Sequence, residues 1–427
     1  MTGVSAPFAV PELPGEDEQS GRAASIVTGV FSPTHEAKAA GSSVETYTGL
    51  VPSDVFFPDA PKKWNKESLN RLLIWCRQVK INDVTIGTNK RVTGKRHGLY
   101  RPITRDKLNS NDVAEILRVI KDGAALSLGD IYRGAYQILL DTESRDVLRT
   151  RVTITHMTGS TDGQTITFRL IEDKIPTVEG IRFPRVLVDA FDFKYGLGMM
   201  CGKMESGKTV SLAALMNNDL SRPGNSRKKL HMGSPIEYLF DKHPGADLIF
   251  QKEIPAAVAN YPLALKAAKS ETPDTLIMEE VNDLETMSMI IDAATSGIGV
   301  WGTLHISRIA AMPGTMMTYY PDADQREGRL YAAFEAMQVI VVQRLEPAIL
   351  DGDDSKPDGR CCLREYLVFD EAMRNKVLER PTREWSRVLN GLVAAHGCSM
   401  LDSARELHAE GRLSHSVLSR IESGRAT

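Results

Sequence analysis

One phosphate-loop pattern constrains the fold of this chain more than any other feature. Residues 202–209, GKMESGKT, have the spacing GxxxxGK[ST], follow the apolar run YGLGMMC and precede the helix-forming run VSLAALMNNDL. Glycines in such a loop let successive backbone N–H groups surround phosphate oxygens, and the dipole of the following helix adds its positive end. The pattern predicts a strand–loop–helix unit that binds a nucleotide phosphate.

The loop residues are the first candidates for binding ATP. All eight are candidates: Gly202, Lys203, Met204, Glu205, Ser206, Gly207, Lys208 and Thr209. Lys208 is predicted to reach the β- and γ-phosphates, and the hydroxyl of Thr209 to ligate Mg²⁺. Glu205 carries a negative charge beside phosphates, and we therefore expect its side chain to point outward.

Residues 61–180 have the patterns of a small mixed α+β domain. The run KESLNRLLIWCRQV has four apolar residues on one helical face: Leu69, Leu72, Leu73 and Cys76. The run SNDVAEILRVIKDG predicts a second helix with Ser110 as its N-cap and Gly123 as its stop. The alternating runs RVTITHM and QTITFRLI flank the turn-rich TGSTDG and predict a β-hairpin.

The remaining segments divide the chain further. Residues 1–60 are rich in Pro, Gly, Ala, Ser and Thr without periodicity, which predicts a disordered extension. A linker is expected at 181–190. From 191 to 427, apolar strand-like runs alternate with helical runs, which predicts a parallel sheet flanked by helices. Residues 320–427 are expected to be mainly helical, with a surface hairpin or loop at 349–360.

Composition narrows the functional classes. The net charge of −3 and the sequence pI of about 6.3 give no global positive field, which disfavours nucleic-acid binding. The five cysteines contain no CxxC pair and are expected to be reduced thiols. No apolar run approaches the roughly 18 residues that span a bilayer, and the N-terminal segment lacks a basic signal-peptide region. A cytoplasmic protein is expected.

Four side chains follow predicted strands of the second domain. Glu279 and Glu280 follow TLIM, Glu237 follows the strand KKLHM, and His305 follows GTL. A single carboxylate after a strand is usually a solvated turn residue, and a single histidine is usually structural. Ligands of parallel α/β sheets bind at the carboxyl ends of the strands. Together with the phosphate loop, these residues therefore indicate groups that position water and sense the γ-phosphate.

The order of these motifs resembles that of the secretion ATPase superfamily. GxxxxGKT, SPIEY, PDTLIMEEVNDLET and GTLHIS are similar to motifs of type II/IV secretion and pilus-retraction ATPases. FQKEIP, INDVTIG and LRTRVTITHM resemble the branch of the type IVB ATPase DotB and the plasmid-transfer ATPase TraJ. The resemblance implies a PAS-like N-terminal α+β domain, a RecA-like P-loop ATPase domain and a helical C-terminal part. It also implies a homohexamer that hydrolyses ATP with Mg²⁺ and sits peripherally on an inner-membrane secretion or conjugation complex.

The resemblance also implies roles for individual residues. Glu280 corresponds to the catalytic Walker B glutamate and, with Thr209, to the metal site; Glu237 and His305 correspond to the acidic box and the histidine box. Three arginines of the N-terminal domain correspond to residues that reach the bound phosphates: Arg149, Arg151 and Arg169.

Two departures from the family pattern affect the expected chemistry. Gly233 and Ser234 stand where the wider family usually has Glu-Asp, and Glu279 replaces a glycine. We hypothesise that Glu279 binds the Mg²⁺-coordinating water that the shortened acidic box does not reach. Three alternatives to a secretion or conjugation motor stay open: a pilus-retraction motor, a RecA-like helicase or DNA pump, and a nucleotide-gated scaffold with little turnover.

Overall fold

The computed structural model describes most of the chain. The described residues are 56–58, 61–96, 99–121, 131–141, 146–158, 163–171, 174–234, 236–254 and 257–424. The predicted extension at 1–60 lies outside them except for 56–58, and so does the predicted helix stop at Gly123. The boundaries 61–180, 181–190 and 191–427 stay predictions.

The elements are numbered in chain order. The strands are β1 (Asp83–Gly87), β2 (Lys90–Arg96), β3 (Leu99–Leu108), β4 (Tyr132–Asp141), β5 (Asp146–His156), β6 (Gln164–Leu170), β7 (Gly196–Gly202), β8 (Lys229–Gly233), β9 (Ile249–Glu253), β10 (Thr275–Met278), β11 (Gly299–Leu304), β12 (Met337–Leu350) and β13 (Asp353–Val368). The helices are α1 (Lys66–Gln78), α2 (Ser110–Lys121), α3 (Arg185–Asp189), α4 (Lys208–Leu220), α5 (Tyr261–Glu271), α6 (Leu284–Thr295), α7 (Met312–Tyr319), α8 (Ala323–Glu335), α9 (Glu371–Leu378), α10 (Trp385–His396), α11 (Met400–Ala409) and α12 (His415–Glu422).

The N-terminal domain is an antiparallel sheet with helices α1 and α2. The described strands have the order β3-β2-β1-β6-β5-β4, so the first and last strands of the domain are central neighbours. The predicted hairpin of β5 and β6 is confirmed, with Val152 paired to Phe168. The apolar face predicted for α1 is fully buried. The predicted mixed α+β domain is therefore confirmed.

The N-cap predicted for the second helix is wrong. The helix begins at Ser110, and the residue before it provides the cap. The Asn109 side-chain oxygen accepts from the Asp112 N–H at 3.0 Å, and the Asp112 carboxylate accepts from the Asn109 N–H at 3.0 Å. Asn109 is favoured over Ser110 as the N-cap because its reciprocal pair with Asp112 satisfies two backbone donors at once.

The second domain is built on a sheet whose described strands have the order β13-β12-β7-β11-β10-β8-β9. All neighbouring pairs are parallel except β12 and β13. Strand β7 is buried along its whole length, and its alternating residues face two cores. Met200 packs with α4 residues on one face, while Met199 packs with α5 and α6 residues on the other. The predicted parallel α/β domain is confirmed.

The expectation of a mainly helical C-terminal third is wrong for one segment. Strands β12 and β13 form a long antiparallel hairpin, whose turn at 351–352 lies within the hairpin or loop expected at 349–360, and helices α8 to α12 form much of the rest, as expected. The apolar, β-branched run MQVIVVQRL gave the signal for β12, which binds the free edge of β7. No helix in the described part of the chain is long and apolar enough to cross a membrane.

Candidate nucleotide site

The phosphate loop connects the end of β7 to the start of α4, as its sequence predicts. Gly202 has φ +143°, a backbone conformation that side chains rarely adopt. A Cβ atom on Gly202 would lie 2.4 Å from Ser206 Oγ and 2.5 Å from the Gln343 carbonyl oxygen. Only glycine fits this position, because the loop residue Ser206 and the neighbouring strand β12 both pack closely against it.

The start of α4 is prepared for an anion. Its N-cap is Gly207, with φ +87° and no side-chain hydrogen bond to the first turn. The Lys208 ammonium donates to the carbonyl oxygens of Gly202 at 2.9 Å and Lys203 at 3.0 Å. Burial lowers the pKa of Lys208, while the nearby Glu280 carboxylate raises it. A helix N-terminus with uncapped N–H groups and an adjacent ammonium is a favourable phosphate site.

The other loop side chains divide into two groups. The side chains of Lys203 and Met204 are exposed, so these residues can reach a phosphate held in the loop chiefly through their backbone N–H groups. The Ser206 hydroxyl is buried and has no hydrogen-bond partner among the described residues. Thr209 lines the cavity beside Lys208.

Glu205 points away from the loop and towards the N-terminal domain. Its carboxylate accepts from the Lys95 ammonium at 2.9 and 3.0 Å and lies 3.7 Å from the Arg169 guanidinium. The hydrogen bond from Lys95 holds the pKa of Glu205 below its ordinary value. Glu205 has φ +59°, a left-handed conformation uncommon for a residue with a side chain.

The predicted carboxylates lie at the strand ends behind this loop. Glu279 and Glu280 follow β10 directly, and Glu280 accepts a hydrogen bond from Asn282. Burial raises the pKa of Glu237, and the Glu279 carboxylate raises it further. Glu237 lines the cavity, whereas Glu279 and Glu280 are not among its lining residues.

His305 contacts the loop itself. Its Nδ1 lies 3.2 Å from the Gly202 carbonyl oxygen. A carbonyl only accepts, so Nδ1–H is the donor in this contact. The histidine after β11 is therefore linked to the first residue of the phosphate loop.

The three predicted arginines have different positions. Arg151 and Arg169 line the cavity, and Arg149 does not. Arg151 donates to the Ser234 carbonyl oxygen at 2.5 Å, and Arg169 donates to Asp83 at 2.7 Å. Arg149 lies 3.6 Å from the Glu253 carboxylate, on the side of the acidic box. The geometry therefore favours Arg151 and Arg169 over Arg149 as phosphate ligands.

Both domains line one cavity of about 610 Å³, a volume usual for a small-molecule site. Four of its cationic residues were missed in the sequence: Arg77, Lys80, Lys95 and Arg360. The basic run NKRVTGKR gave a signal for Lys95, but nothing in the sequence indicates that the β12–β13 hairpin brings Arg360 to the cavity. The described lining residues include seven cationic side chains and only three carboxylates, so the lining is positively charged and suits a polyanion.

A comparison with protein families decides the relationship. The protein family described as "Type II/IV secretion system protein" matches residues 184–414, more than half of the chain. The chain belongs to this family. The gonococcal twitching motility protein (Neisseria gonorrhoeae) is 25% identical over 316 residues, 74% of this chain and 80% of that protein. The type IV pilus retraction ATPase PilT of Pseudomonas aeruginosa is 28% identical over 212 residues, 50% of this chain and 58% of that protein.

Solved structures agree with this relationship. The ATPase DotB of Legionella pneumophila superposes with a TM-score of 0.75 and 26% identity, covering 86% of this chain and 98% of DotB. The predicted resemblance to DotB-type ATPases is confirmed. So is the predicted order of an N-terminal domain, a RecA-like ATPase domain and a helical C-terminal part.

Magnesium is the metal that such a site implies, and the residues present fit it. The described residues contain no cluster of three or more His, Cys, Asp or Glu side chains able to hold a metal alone. Mg²⁺ is usually held by one or two carboxylates, water and the substrate phosphates. The Thr209 hydroxyl and the Glu280 carboxylate are hard oxygen donors of this kind, and the charge of Glu280 acts on the adjacent Lys208.

Proposed function

We propose that this chain is a Mg²⁺-dependent ATPase that works as a homohexameric motor for a type IVB secretion or conjugative plasmid-transfer system. The observation that carries the proposal is the shared cavity: the phosphate loop lines it from one domain, and Arg151 and Arg169 line it from the other. A ligand bridging these groups makes the relative position of the two domains depend on ATP, which is what a motor requires.

Each residue of the site has a separate role in ATP hydrolysis. Lys208 and the N–H groups at the start of α4 hold the phosphates, and Arg151 and Arg169 stabilise the negative charge that grows during transfer. Glu280 orients the attacking water and accepts its proton. The hydrogen bond from His305 to the Gly202 carbonyl oxygen couples the position of the phosphate loop to the end of β11. Thr209 and Glu280 would hold Mg²⁺, which would supply positive charge beside the phosphates.

Two other functions have specific support. A pilus-retraction motor is favoured by the similarity to PilT, whose named function is retraction. A nucleotide-gated scaffold with little turnover is favoured by Gly233, which places no carboxylate at the end of β8. The choice between secretion and retraction depends on the partner. We place the ring on the cytoplasmic side of an inner-membrane complex, as for motors of this family.

The test compares phosphate release by the full-length protein and three variants. Glu280→Gln is expected to lower kcat by about 10²-fold or more while ATP still binds, because water loses its base. Lys208→Ala is expected to abolish ATP binding. Glu285→Gln, an exposed glutamate in the first turn of α6, is the matched control and keeps the wild-type rate.

The alternatives give different results in the same assay. Wild-type protein that binds ATP tightly but turns over no faster than Glu280→Gln would establish the scaffold and refute the motor. A stimulated rate with inner-membrane components of a transfer system, and none with pilus components, supports the secretion branch.

A further inference from the structure

Glu279 occupies space that a side chain at position 233 would need. Strands β8 and β10 are parallel neighbours, and both residues lie at their carboxyl ends. A Cβ atom built on Gly233 would lie 2.5 Å from Glu279 Oε2 and 3.0 Å from its carboxyl carbon. A side chain at 233 would therefore displace the Glu279 carboxylate from its present position, and with glycine at 233 Glu279 supplies the carboxylate at this strand end.

The backbone of Glu279 is held from both sides. Its N–H donates to the Met232 carbonyl oxygen at 2.9 Å, and the Thr303 hydroxyl donates to its carbonyl oxygen at 2.6 Å. Fixing the backbone leaves the direction of the carboxylate to the side-chain contacts. One of these is decisive: Glu279 Oε1 lies 2.9 Å from Nε2 of His231, a fully buried histidine on β8.

Gln251 fixes which nitrogen of His231 carries the proton. The Gln251 side-chain oxygen accepts from the Phe240 N–H at 2.8 Å, and its amide nitrogen donates to the Tyr238 carbonyl oxygen at 2.8 Å. These backbone groups settle the orientation of the amide, because an N–H only donates and a carbonyl only accepts. The same amide nitrogen lies 3.0 Å from His231 Nδ1, which must accept. His231 is therefore protonated at Nε2 and donates to Glu279.

The second oxygen of Glu279 is left for a ligand. Oε2 receives no hydrogen bond from the described residues, and the side chain keeps 9% of its surface exposed. The neighbouring Glu237 lines the nucleotide cavity, and the charge of Glu279 acts on it. Oε2 is thus an acceptor without a partner among the described residues, near Gly233 and close enough to Glu237 for its charge to act there.

We infer that His231 and Gln251 are positioning residues that hold Glu279 Oε2 towards a water ligand of the bound metal. The inference rests on the proposed function and deepens it, since it adds two residues that touch neither nucleotide nor metal. It also gives the FQKEIP segment a role. Gln251 of this segment orients His231, while Glu253 accepts from the Ile236 N–H at 3.4 Å and lies 3.6 Å from the Arg149 guanidinium.

The chain of contacts ends on the loop that carries Glu237. Gln251 is bonded to two backbone groups of that loop, and Arg151 of the N-terminal domain donates to its first residue, Ser234. Hydrogen bonds therefore connect the N-terminal domain to this loop, and the loop through Gln251 and His231 to Glu279.

The test measures how strongly Mg²⁺ and nucleotide promote each other's binding. The dissociation constant of a fluorescent ADP analogue is determined for the full-length protein in Mg²⁺ and in EDTA, and the ratio of the two constants is the readout. His231→Phe keeps an aromatic ring at this position but removes the donor. It is expected to reduce the ratio about 10-fold, the usual effect of removing a residue that orients a metal ligand, while the constant in EDTA stays unchanged. Glu279→Gln is expected to do the same.

Two further variants separate positioning from general damage. The double variant His231→Phe/Glu279→Gln should lose no more than either single variant, because His231 acts through Glu279. Thr150→Val is the matched control for losing a buried hydrogen bond: the Thr150 hydroxyl donates to the Tyr136 carbonyl oxygen at 2.9 Å in the N-terminal sheet, and the variant should keep the wild-type ratio. Gly233→Ala displaces Oε2 without removing any hydrogen-bonding group, and it should reduce the ratio as His231→Phe does.

The possible outcomes are distinct. A wild-type ratio in His231→Phe or in Gly233→Ala, or losses that add in the double variant, would overturn the inference and leave the proposed function intact. If the wild-type protein binds the nucleotide equally well in Mg²⁺ and in EDTA, the proposed metal-dependent ATPase would be overturned instead.

Discussion

Replacing Glu205 by glutamine tests how the phosphate loop and the N-terminal domain share their charges. Glu205 holds Lys95 at 2.9 Å and lies 3.7 Å from Arg169, a cation that lines the same cavity as Lys208. A nucleotide phosphate and the Glu205 carboxylate compete for these two cations. The glutamine keeps the shape of the side chain and removes only the charge, so the cations become fully available to the nucleotide.

The geometry limits the size of the effect. The side chains of Lys95 and Glu205 are 17% and 51% exposed, and exposed ion pairs contribute about 0.2–1 kcal/mol. Because 1.4 kcal/mol corresponds to a tenfold change, Glu205→Gln is expected to strengthen ADP binding by about 1.5- to 5-fold. The gain should shrink in about 1 M salt, where the Debye length falls to about 3 Å.

The assay is a titration with a fluorescent ADP analogue at low and high salt. Lys95→Gln and the double variant complete the cycle, and in the Lys95→Gln background the Glu205→Gln change should have a smaller effect. Weaker binding by Glu205→Gln would refute the reasoning, since it would mean that Glu205 prepares the cations for the phosphate rather than competing with it.

Three further changes have clear expected outcomes. Asp219→Asn leaves the fully buried Lys229 without its carboxylate at 2.6 Å and should cost about 3–5 kcal/mol in urea unfolding, against less than about 0.5 kcal/mol for the exposed Asp189→Asn. Gly202→Ala should cost about 1–3 kcal/mol in thermal unfolding and weaken ADP binding, because its φ of +143° suits only glycine. Burial raises the pKa of Glu365, so the folded state holds that proton more tightly than the unfolded chain. Stability should therefore fall as the pH rises through about 4.5 towards the raised pKa, and Glu365→Gln should make this slope smaller in urea midpoints measured from pH 4 to 8.

The sequence predicted those parts of the fold that depend on local patterns. The phosphate loop, the apolar face of α1 and the strands β7, β8, β10 and β11 follow from spacing, periodicity and β-branched runs, and the structure has them. The hairpin or loop expected at 349–360 contains the turn between β12 and β13, but the length of these strands was missed because helical patterns on both sides outweighed one strand signal. The N-cap at Asn109 was missed because Ser110 is an equally good capping residue and only the reciprocal bond with Asp112 decides between them.

The candidate site was predicted less completely, for a physical reason. Side chains that act within one strand–loop–helix unit, such as Lys208 and Thr209, are visible from spacing alone. Lys95 and Arg360 come to the cavity from other elements, and His231 matters only because Gln251 and Glu279 lie on either side of it. Such contacts depend on strand order, which the sequence does not state.

The most direct test of the whole account is the native mass of the Glu280→Gln protein with and without Mg-ATP. This variant is expected to bind ATP and not to hydrolyse it, so any assembly that depends on the bound nucleotide accumulates. The account predicts a six-subunit species that appears or tightens when Mg-ATP is added. A monomer or dimer of unchanged mass that nevertheless binds ATP would contradict the ring motor.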